Sequence, residues 1–200
     1  MKMTYLFLVS FTFIVISSCK SKNYKTSKNE LMSNQMDFIS LQQRFYKGIK
    51  FQLPSNFKTK EHPKFTLKSD SFAEHIPELH LYFSIEVFTQ KEGMKIQNEF
   101  IENTSMLDAI NDQYIYKRQA SLYNSYTSVK KEISSNKKYN GCMQIIQGET
   151  YDGYDKNCYF TATIQVIDDY YIIQLIGPKN NMGYLYDDFN EIISSIKKIK

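Results

Sequence analysis

The residues best able to bind a metal ion lie in one seven-residue stretch. Glu74-His75-Ile76-Pro77-Glu78-Leu79-His80 holds two histidines and two glutamates, which are ligands that zinc accepts. Pro77 breaks any helix that would align them, and on a strand His75 and His80 point to opposite faces. We therefore expect a solvated loop that enters a strand, and no metal site.

A second group of acidic residues surrounds Gly153. Glu149, Asp152, Asp155 and Asn157 could supply oxygen ligands to calcium, but their spacing departs from the twelve-residue calcium loop. Acidic residues are common in hairpin turns without any ligand, so this segment is interpreted as a turn.

Two of the three cysteines, Cys142 and Cys158, could form a disulfide if the chain is exported to an oxidising compartment. A hairpin centred on Asp152-Gly153 makes paired residue numbers sum to about 305, so that Cys142 faces Thr163 and Cys158 faces Gln147. The cysteines would then lie roughly 17 Å apart along the strands, whereas a disulfide requires Cα atoms within about 7 Å. Buried free thiols are the expectation, and a disulfide is an alternative only if the connection is not a simple hairpin.

Signatures of common enzymes are missing from the sequence. It contains no GxSxG, GxxxxGK[ST], GxGxxG or HExxH segment, so hydrolase, phosphate-loop and zinc-protease chemistry lack support. The 25 Lys and Arg residues nearly match the 21 Asp and Glu residues, which argues against a dedicated nucleic-acid-binding protein. We expect no enzymatic activity, no cofactor and no nucleic-acid partner.

Tyrosine is the most distinctive side chain of the sequence, with 16 copies and no tryptophan. Its large apolar ring and polar tip suit binding surfaces as well as the cover of a sheet. The candidate surface for a partner protein or peptide comprises Tyr114, Tyr116, Tyr184 and Tyr186.

The N-terminal 22 residues have the pattern of an export signal. Lys2 precedes an apolar run from Tyr5 to Ile16, which is too short to span a membrane. Ile16-Ser17-Ser18-Cys19 resembles the lipobox of bacterial lipoproteins, and this resemblance implies cleavage before Cys19 and acylation of its thiol and amine. Residues 1–18 are therefore predicted to be a signal peptide, and the mature protein to be attached to a membrane through Cys19.

Residues 19–43 are predicted to form a flexible tether, because the lysine-rich segment after Cys19 has no apolar periodicity. Lys20-Ser21-Lys22 lacks the acidic residues that follow the cysteine in surface-displayed lipoproteins of Bacteroidetes. The residue after Cys19 is also not the Asp that keeps some lipoproteins in the inner membrane. The predicted location is the periplasmic side of the outer membrane, with surface display and the inner membrane as open alternatives, and another envelope protein is the expected partner.

Residues 44–200 are predicted to form one domain. Alternating or continuous apolar residues indicate strands at 49–53, 64–68, 79–88, 126–133, 142–150, 158–167 and 170–176. Residues 94–123 have helical periodicity, with Ser105 and Asp108 as a capping pair that would divide them into two helices. A final helix, capped by Asn180 or Asn181, would carry an apolar stripe and end at Lys197 and Lys198. This order predicts an α+β fold, an antiparallel sheet of about six strands with helices on both faces.

Three segments resemble the PsbP-like superfamily, which includes photosystem II extrinsic proteins, Ran-binding Mog-type proteins and DcrB-like lipoproteins. They are the first strand from Tyr46 to Phe57, Asn140-Gly141 at the start of a central strand, and the last strand and helix from Tyr170 to Lys197. The resemblance implies an α/β/α sandwich but no shared catalytic residues, because members of this superfamily differ in role. We therefore expect a non-catalytic accessory module that binds another protein. The alternative is a carrier of a small molecule or lipid, with a pocket between sheet and helix.

Overall fold

The computed structural model describes residues 40–59, 71–100, 104–133, 139–149, 156–183 and 185–199. The described strands form two antiparallel sheets. The small sheet has the order β1-β2-β11, from β1 (Leu41–Tyr46), β2 (Ile49–Pro54) and β11 (Lys197–Lys198). The main sheet has the order β3-β4-β5-β10-β9-β8-β6, with β7 also paired to β8; its strands are β3 (Lys58–Thr59), β4 (Phe72–Ile76), β5 (Leu81–Phe88), β6 (Tyr123–Thr127), β7 (Lys131–Glu132), β8 (Asn140–Glu149), β9 (Lys156–Val166) and β10 (Asp169–Pro178).

Four α-helices accompany the sheets in the described part of the chain. They are α1 (Gln90–Gln97), α2 (Met106–Ala120), α3 (Lys179–Met182) and α4 (Tyr186–Ser195), and a short 3-10 turn occupies Pro77–Leu79. None of these helices is long and apolar enough to cross a membrane.

The main sheet is covered on both faces, as the apolar strand at 79–88 predicted. Leu81, Phe83 and Ile85 of β5 enter a core shared with α4 and the small sheet. On the opposite face, Phe88 packs with residues of α1 and α2 in a second cluster. The α+β architecture with a two-sided sheet is therefore confirmed.

On the α4 side of the main sheet, the covering layer contains the small sheet as well as a helix, whereas a helix alone was predicted. Ile49, Phe51 and Leu53 of β2 are buried in the core, yet β2 pairs with β1 and β11 and does not join the main sheet. Lys47 and Gly48 link β1 to β2 in a two-residue turn, and both have positive φ, which matches the twist of a tight hairpin. The resulting sheet packs as a separate layer because β2 has only one apolar face.

The domain also begins earlier than predicted. Strand β1 starts at Leu41, inside the segment 19–43 that was assigned to the tether. Its residues carry little apolar pattern of their own, since one face of β1 is exposed, and the hairpin pairing with β2 determines its conformation. The predicted strand at 64–68 lies outside the described residues.

The helix boundaries follow side-chain caps where the sequence supplies them. Ser105 caps α2 by accepting a hydrogen bond from the backbone N–H of Asp108, as predicted. Helix α1 starts at a capping box formed by Thr89 and Glu92, a few residues before the predicted start. The prediction for the last helix was wrong at both ends: α4 follows Leu185 instead of Asn180 or Asn181, and Lys197 lies in β11.

The hairpin register between β8 and β9 agrees with the prediction. Cys142 pairs with Thr163, and Gln147 pairs with Cys158. Both cysteines are buried and free. The alternative of a disulfide between them is therefore wrong, because the simple hairpin places them far apart along adjacent strands.

Gly141 in β8 has no room for a side chain. A Cβ atom there would lie 2.8 Å from Ile164 Cγ2 and 2.9 Å from the carbonyl oxygen of Thr163, whereas one at Gly183 would meet no atom within 4 Å. We expect Gly141→Ala to lower the free energy of unfolding by about 1–3 kcal/mol, because the backbone of β9 must shift. Urea denaturation measures this loss, with Gly183→Ala as the control that leaves stability nearly unchanged. Equal stability of the two variants would contradict the close approach.

Candidate functional site

A layer of polar side chains lies between α2 and the main sheet. The Tyr114 hydroxyl accepts a hydrogen bond from Nη2 of Arg118 (2.8 Å) and lies 2.7 Å from Oε1 of Gln174 and 3.1 Å from Oε1 of Glu86. Gln174 in turn donates to Oγ1 of Thr161 at 2.9 Å. Glu86, Gln174 and Thr161 are buried, so these contacts replace the water that the groups lose on folding.

Burial and neighbouring groups keep Tyr114 and Arg118 of this layer protonated. Burial raises the pKa of Tyr114, so its hydroxyl remains a phenol. Burial would lower the pKa of Arg118, but the nearby Tyr114, Tyr159 and Glu86 outweigh it and raise that pKa. The guanidinium also lies over the rings of Tyr114 and Tyr159, at 5.4 and 5.3 Å from their centroids. The layer holds α2 in place and is closed to ligands by its burial.

Asn111 extends the polar layer one turn toward the start of α2. Its side chain is fully buried; Nδ2 donates to Oε1 of Gln144 at 2.8 Å, and Oδ1 accepts from Oγ1 of Thr163 at 3.0 Å. An amide with these partners on β8 and β9 fixes both the position and the rotation of the helix.

The start of α2 forms one wall of an open cleft of about 630 Å³. The opposite wall comes from β7, the beginning of β8 and the adjoining ends of β9 and β10. The cleft is lined by Ser105, Met106, Leu107, Asp108, Lys130, Glu132, Ile133, Tyr139, Asn140, Gly141, Cys142, Gln165 and Tyr170. Apolar, polar and charged groups alternate around it, which is typical of a surface that recognises a mixed polar and apolar ligand.

Lys130 joins the walls of the cleft electrostatically. Its Nζ lies 3.0 Å from Oδ1 of Asp108 and 2.8 Å from Oδ1 of Asp112, both on α2. Burial would lower the pKa of Lys130, but its hydrogen bonds to Asp112 and Asp108 outweigh that effect and raise it. The ion pairs of Lys130 with these two carboxylates connect the first turns of α2 to the segment between β6 and β7.

The cleft offers no activated cysteine. Burial raises the pKa of the Cys142 thiol to about 12, so the thiolate that would act as a nucleophile is scarce at neutral pH. A hydrogen bond from the Ser105 hydroxyl (2.6 Å) lowers the pKa of Asp108, so this carboxyl group is ionised and not a proton donor near neutral pH. These groups are suited to binding by charge and hydrogen bonds.

The three described tyrosines of the predicted surface do not lie together. Tyr114 belongs to the polar layer, and Tyr186 is partly buried with its ring edge-on to Phe160 at 5.7 Å. Tyr116 is 73% exposed on α2, on the other side of the main sheet from Tyr186. Tyr184 lies outside the described residues. Tyr114, Tyr116 and Tyr186 cannot form one patch because helical rotation and the intervening sheet separate these three rings.

The histidine-rich stretch also separates its candidate ligands. Glu74 is buried and accepts a 2.7 Å hydrogen bond from Nε of Arg44, whereas His75, on the opposite face of β4, stacks on Tyr82. His80 ends the 3-10 turn with a left-handed backbone. Among the described residues, no three His, Cys, Asp or Glu side chains lie close enough to hold a metal ion.

The acidic turn proposed from the sequence is described only at its edges. Asp152 and Asp155 lie outside the described residues, and Glu149 pairs with Lys156 at 3.1 Å across the β8–β9 hairpin. An ion pair between strands thus accounts for Glu149 without a calcium ligand.

Sequence reasoning missed the cleft and the polar layer for different reasons. The polar layer has a recognisable pattern in the sequence, because Glu86, Thr161 and Gln174 interrupt otherwise apolar strands. The cleft has no such pattern in the sequence, since Ser105, Lys130 and Tyr170 come from distant parts of the chain and only the fold brings them together.

Comparison with known proteins identifies the fold. No protein-family model and no curated protein matches the chain. The solution structure of cyanobacterial PsbP (CyanoP) from Synechocystis sp. PCC 6803 is similar, with a TM-score of 0.55 and 9% identity over 80% of this chain and 93% of that one. The chain therefore has a PsbP-like α+β fold, and at this identity the likeness concerns the fold alone.

Two further structures are similar at a TM-score of 0.46. One is the protein of unknown function PA94 from Pseudomonas aeruginosa, 8% identical over 80% of this chain and 98% of that one. The other is a protein from Bacteroides thetaiotaomicron, 13% identical over 76% of this chain and 46% of that one.

The Ser105 cap provides a test of the start of α2. We expect Ser105→Ala to cost about 1 kcal/mol of stability at pH 7, the usual value of an N-cap, and to raise the pKa of Asp108 toward its ordinary range. Because the pKa of Asp108 is lowered in the folded protein, its contribution is complete above the unfolded pKa and is lost as pH falls through the folded pKa. Denaturation across pH 2–7, with NMR titration of Asp108, measures both effects. An unchanged Asp108 pKa in the variant would contradict the assigned hydrogen bond.

The buried thiols provide a second test. Burial raises the pKa of Cys142 and of Cys158 to about 12, so alkylation of the folded protein at pH 8 should be slow at both and fast after unfolding. A Cys19→Ser chain removes the third thiol, and mass spectrometry counts the labels. Rapid labelling of either cysteine in the folded chain would show that it is exposed or activated.

Proposed function

We propose that this protein is a non-catalytic accessory module that binds a segment of another envelope protein in the cleft at the start of α2. We also propose that acylated Cys19 attaches the protein to the outer membrane, with the domain on the periplasmic side. The observation that carries the binding proposal is the cleft itself, which is spanned by the ion pairs of Lys130 with Asp108 and Asp112.

The lining of the cleft favours a protein segment as its occupant. Met106, Leu107 and Ile133 offer apolar contacts, while Asn140 and Gln165 offer amide hydrogen bonds, so one surface provides both kinds of contact that a peptide needs. The β7 strand beside it is only two residues long. The PsbP-like fold is compatible with this role and does not assign it.

A lipid carrier fits the cleft less well. An acyl chain in this space would remove water from Asp108 and Lys130, and desolvating such ions costs several kcal/mol each. A small polar molecule is the second candidate, because a volume of about 630 Å³ lies within the range of small-molecule sites.

Support for the membrane attachment comes from the sequence. Ile16-Ser17-Ser18-Cys19 follows an apolar run that is preceded by Lys2, which is the order of a lipoprotein signal. A chain carrying two or three acyl groups stays bound to a bilayer, so the domain would meet its partner at the membrane.

The test is purification of the full-length acylated protein from native membranes with quantitative mass spectrometry. We compare Glu132→Arg, which places a bulky cation in the cleft, with Tyr116→Arg on the outer face of α2; both parent residues are exposed. We expect one near-stoichiometric envelope protein that Tyr116→Arg retains and that Glu132→Arg reduces at least about tenfold, or 1.4 kcal/mol. Cys19→Ala tests whether acylation is needed for the association.

Other outcomes decide between the candidates. Loss of the partner with Tyr116→Arg alone would move the binding surface to the outer face of α2 and contradict the cleft. If no partner is recovered, the accessory role is wrong. A small molecule that co-purifies in native mass spectrometry and is lost with Glu132→Arg would then establish the carrier.

A further inference from the structure

The outer face of the small sheet exposes two large apolar side chains. The β1–β2 register places Leu41, Gln43 and Phe45 on one face and their neighbours on the other, where Arg44 reaches Glu74 of the main sheet. Leu41 is 47% exposed and Phe45 is 61% exposed. Both side chains therefore project into solvent from the edge strand β1, and Gln43 lies between them on the same face.

Lysines lie beside these apolar groups on the same face. Phe45 pairs with Lys50, and Lys50 pairs with Lys197, so the three side chains form one row across β1, β2 and β11. Lys47 is exposed in the turn at the end of the β1–β2 hairpin. The outward positions of these described strands contain no acidic residue. Apolar side chains bordered by cations are typical of surfaces that contact anionic lipid.

This face is held rigidly against the rest of the domain. The Tyr171 hydroxyl donates a hydrogen bond to the carbonyl oxygen of Lys47 at 2.7 Å. The backbone N–H of Ile199 donates one to the carbonyl oxygen of Gly48 at 2.8 Å. Arg44 and Glu74 form a 2.7 Å ion pair between the two sheets. The orientation of Leu41 and Phe45 is thus fixed relative to the whole molecule.

The chain enters the domain at this face. The tether predicted from the sequence would join Cys19 to Leu41 through the 21 residues 20–40, and a flexible linker of that length has an average span of about 25 Å. An acylated Cys19 would therefore keep the small sheet close to the bilayer, where even a weak surface contact is favoured by high effective concentration. This step rests on the membrane attachment proposed above.

We propose that the outer face of the small sheet docks on the anionic surface of the membrane, with Leu41 and Phe45 inserted among the headgroups and Lys50 and Lys197 against the phosphates. A second copy of the chain is a poorer occupant, because a two-fold pairing of this face would bring the same lysines together. Docking in this way directs α2, on the opposite face of the main sheet, away from the lipid.

The absence of tryptophan from the chain permits a direct test. Phe45→Trp introduces a single tryptophan on the docking face, whose emission is excited selectively over that of tyrosine, and Tyr116→Trp introduces one at a similarly exposed position on α2. Each full-length acylated variant is reconstituted into vesicles of phosphatidylethanolamine and phosphatidylglycerol, with and without brominated lipid. We expect blue-shifted emission and roughly twofold quenching for the tryptophan at position 45, and neither for that at position 116.

The contribution of the lysines is tested in the Phe45→Trp background. Lys50→Glu together with Lys197→Glu should abolish the quenching, and high salt or phosphatidylcholine vesicles should weaken it. Lys91→Glu with Lys95→Glu on α1, on the other side of the main sheet, is the matched control that leaves the quenching unchanged. Equal quenching in all these variants would contradict the electrostatic part of the proposal.

Flotation of the vesicles separates this proposal from the membrane attachment. If the protein floats but the tryptophan at position 45 is not quenched, attachment stands and docking is wrong. If the protein does not float, both are wrong. A blue shift that appears in detergent and grows with protein concentration would show that a second copy covers this face, which also overturns lipid docking.

Discussion

The hydrogen bonds of Asn111 set the position of α2 on the main sheet. Its amide is fully buried and contacts Gln144 and Thr163 on two adjacent strands. Sliding or rotating the helix by one residue would leave these polar groups buried without partners, at a cost of about 1–3 kcal/mol for each group. An apolar interface alone would tolerate several helix positions, whereas this one permits a single arrangement.

The rest of the candidate site depends on that arrangement. Asp108 precedes Asn111 by one helical turn, so fixing Asn111 also fixes the carboxylate that binds Lys130. Farther along the helix, Tyr114 and Arg118 reach the same sheet through Gln174. The α2 wall of the cleft is therefore held in position by the buried contacts of Asn111. The proposed partner meets a preformed surface, which lowers the entropy lost on binding.

The sequence predicted those features that depend on local patterns. Alternation identified most strands, the Ser105 cap located the start of α2, and the hairpin geometry placed Cys142 opposite Thr163. The prediction failed where the conformation of a segment depends on residues that are distant in the sequence. Strand β1 forms because β2 lies beside it, and Lys197 becomes part of a strand because Lys50 is its neighbour across the sheet.

The candidate site was less predictable than the fold. Tyrosine composition indicated a binding surface, but composition carries no information on which side of a sheet each ring lies, and Tyr114 and Tyr186 lie on different sides of the main sheet. The cleft residues come from α2 and from four strands, so no window of the sequence contains their pattern. A buried polar layer, in contrast, could be recognised from Glu86 and Gln174 within apolar strands, and it marks where a helix must be fixed.

The pairing of β2 with β11 brings two distant segments of the chain together. Lys50 and Lys197 are 147 positions apart in the sequence, and α4, which packs against β2, also comes from the last fifteen residues. During synthesis, Ile49, Phe51 and Leu53 emerge early but have no complete core until the final residues follow. An incomplete chain therefore keeps this layer open, and closure of the small sheet is a late event in folding that only the complete chain can reach.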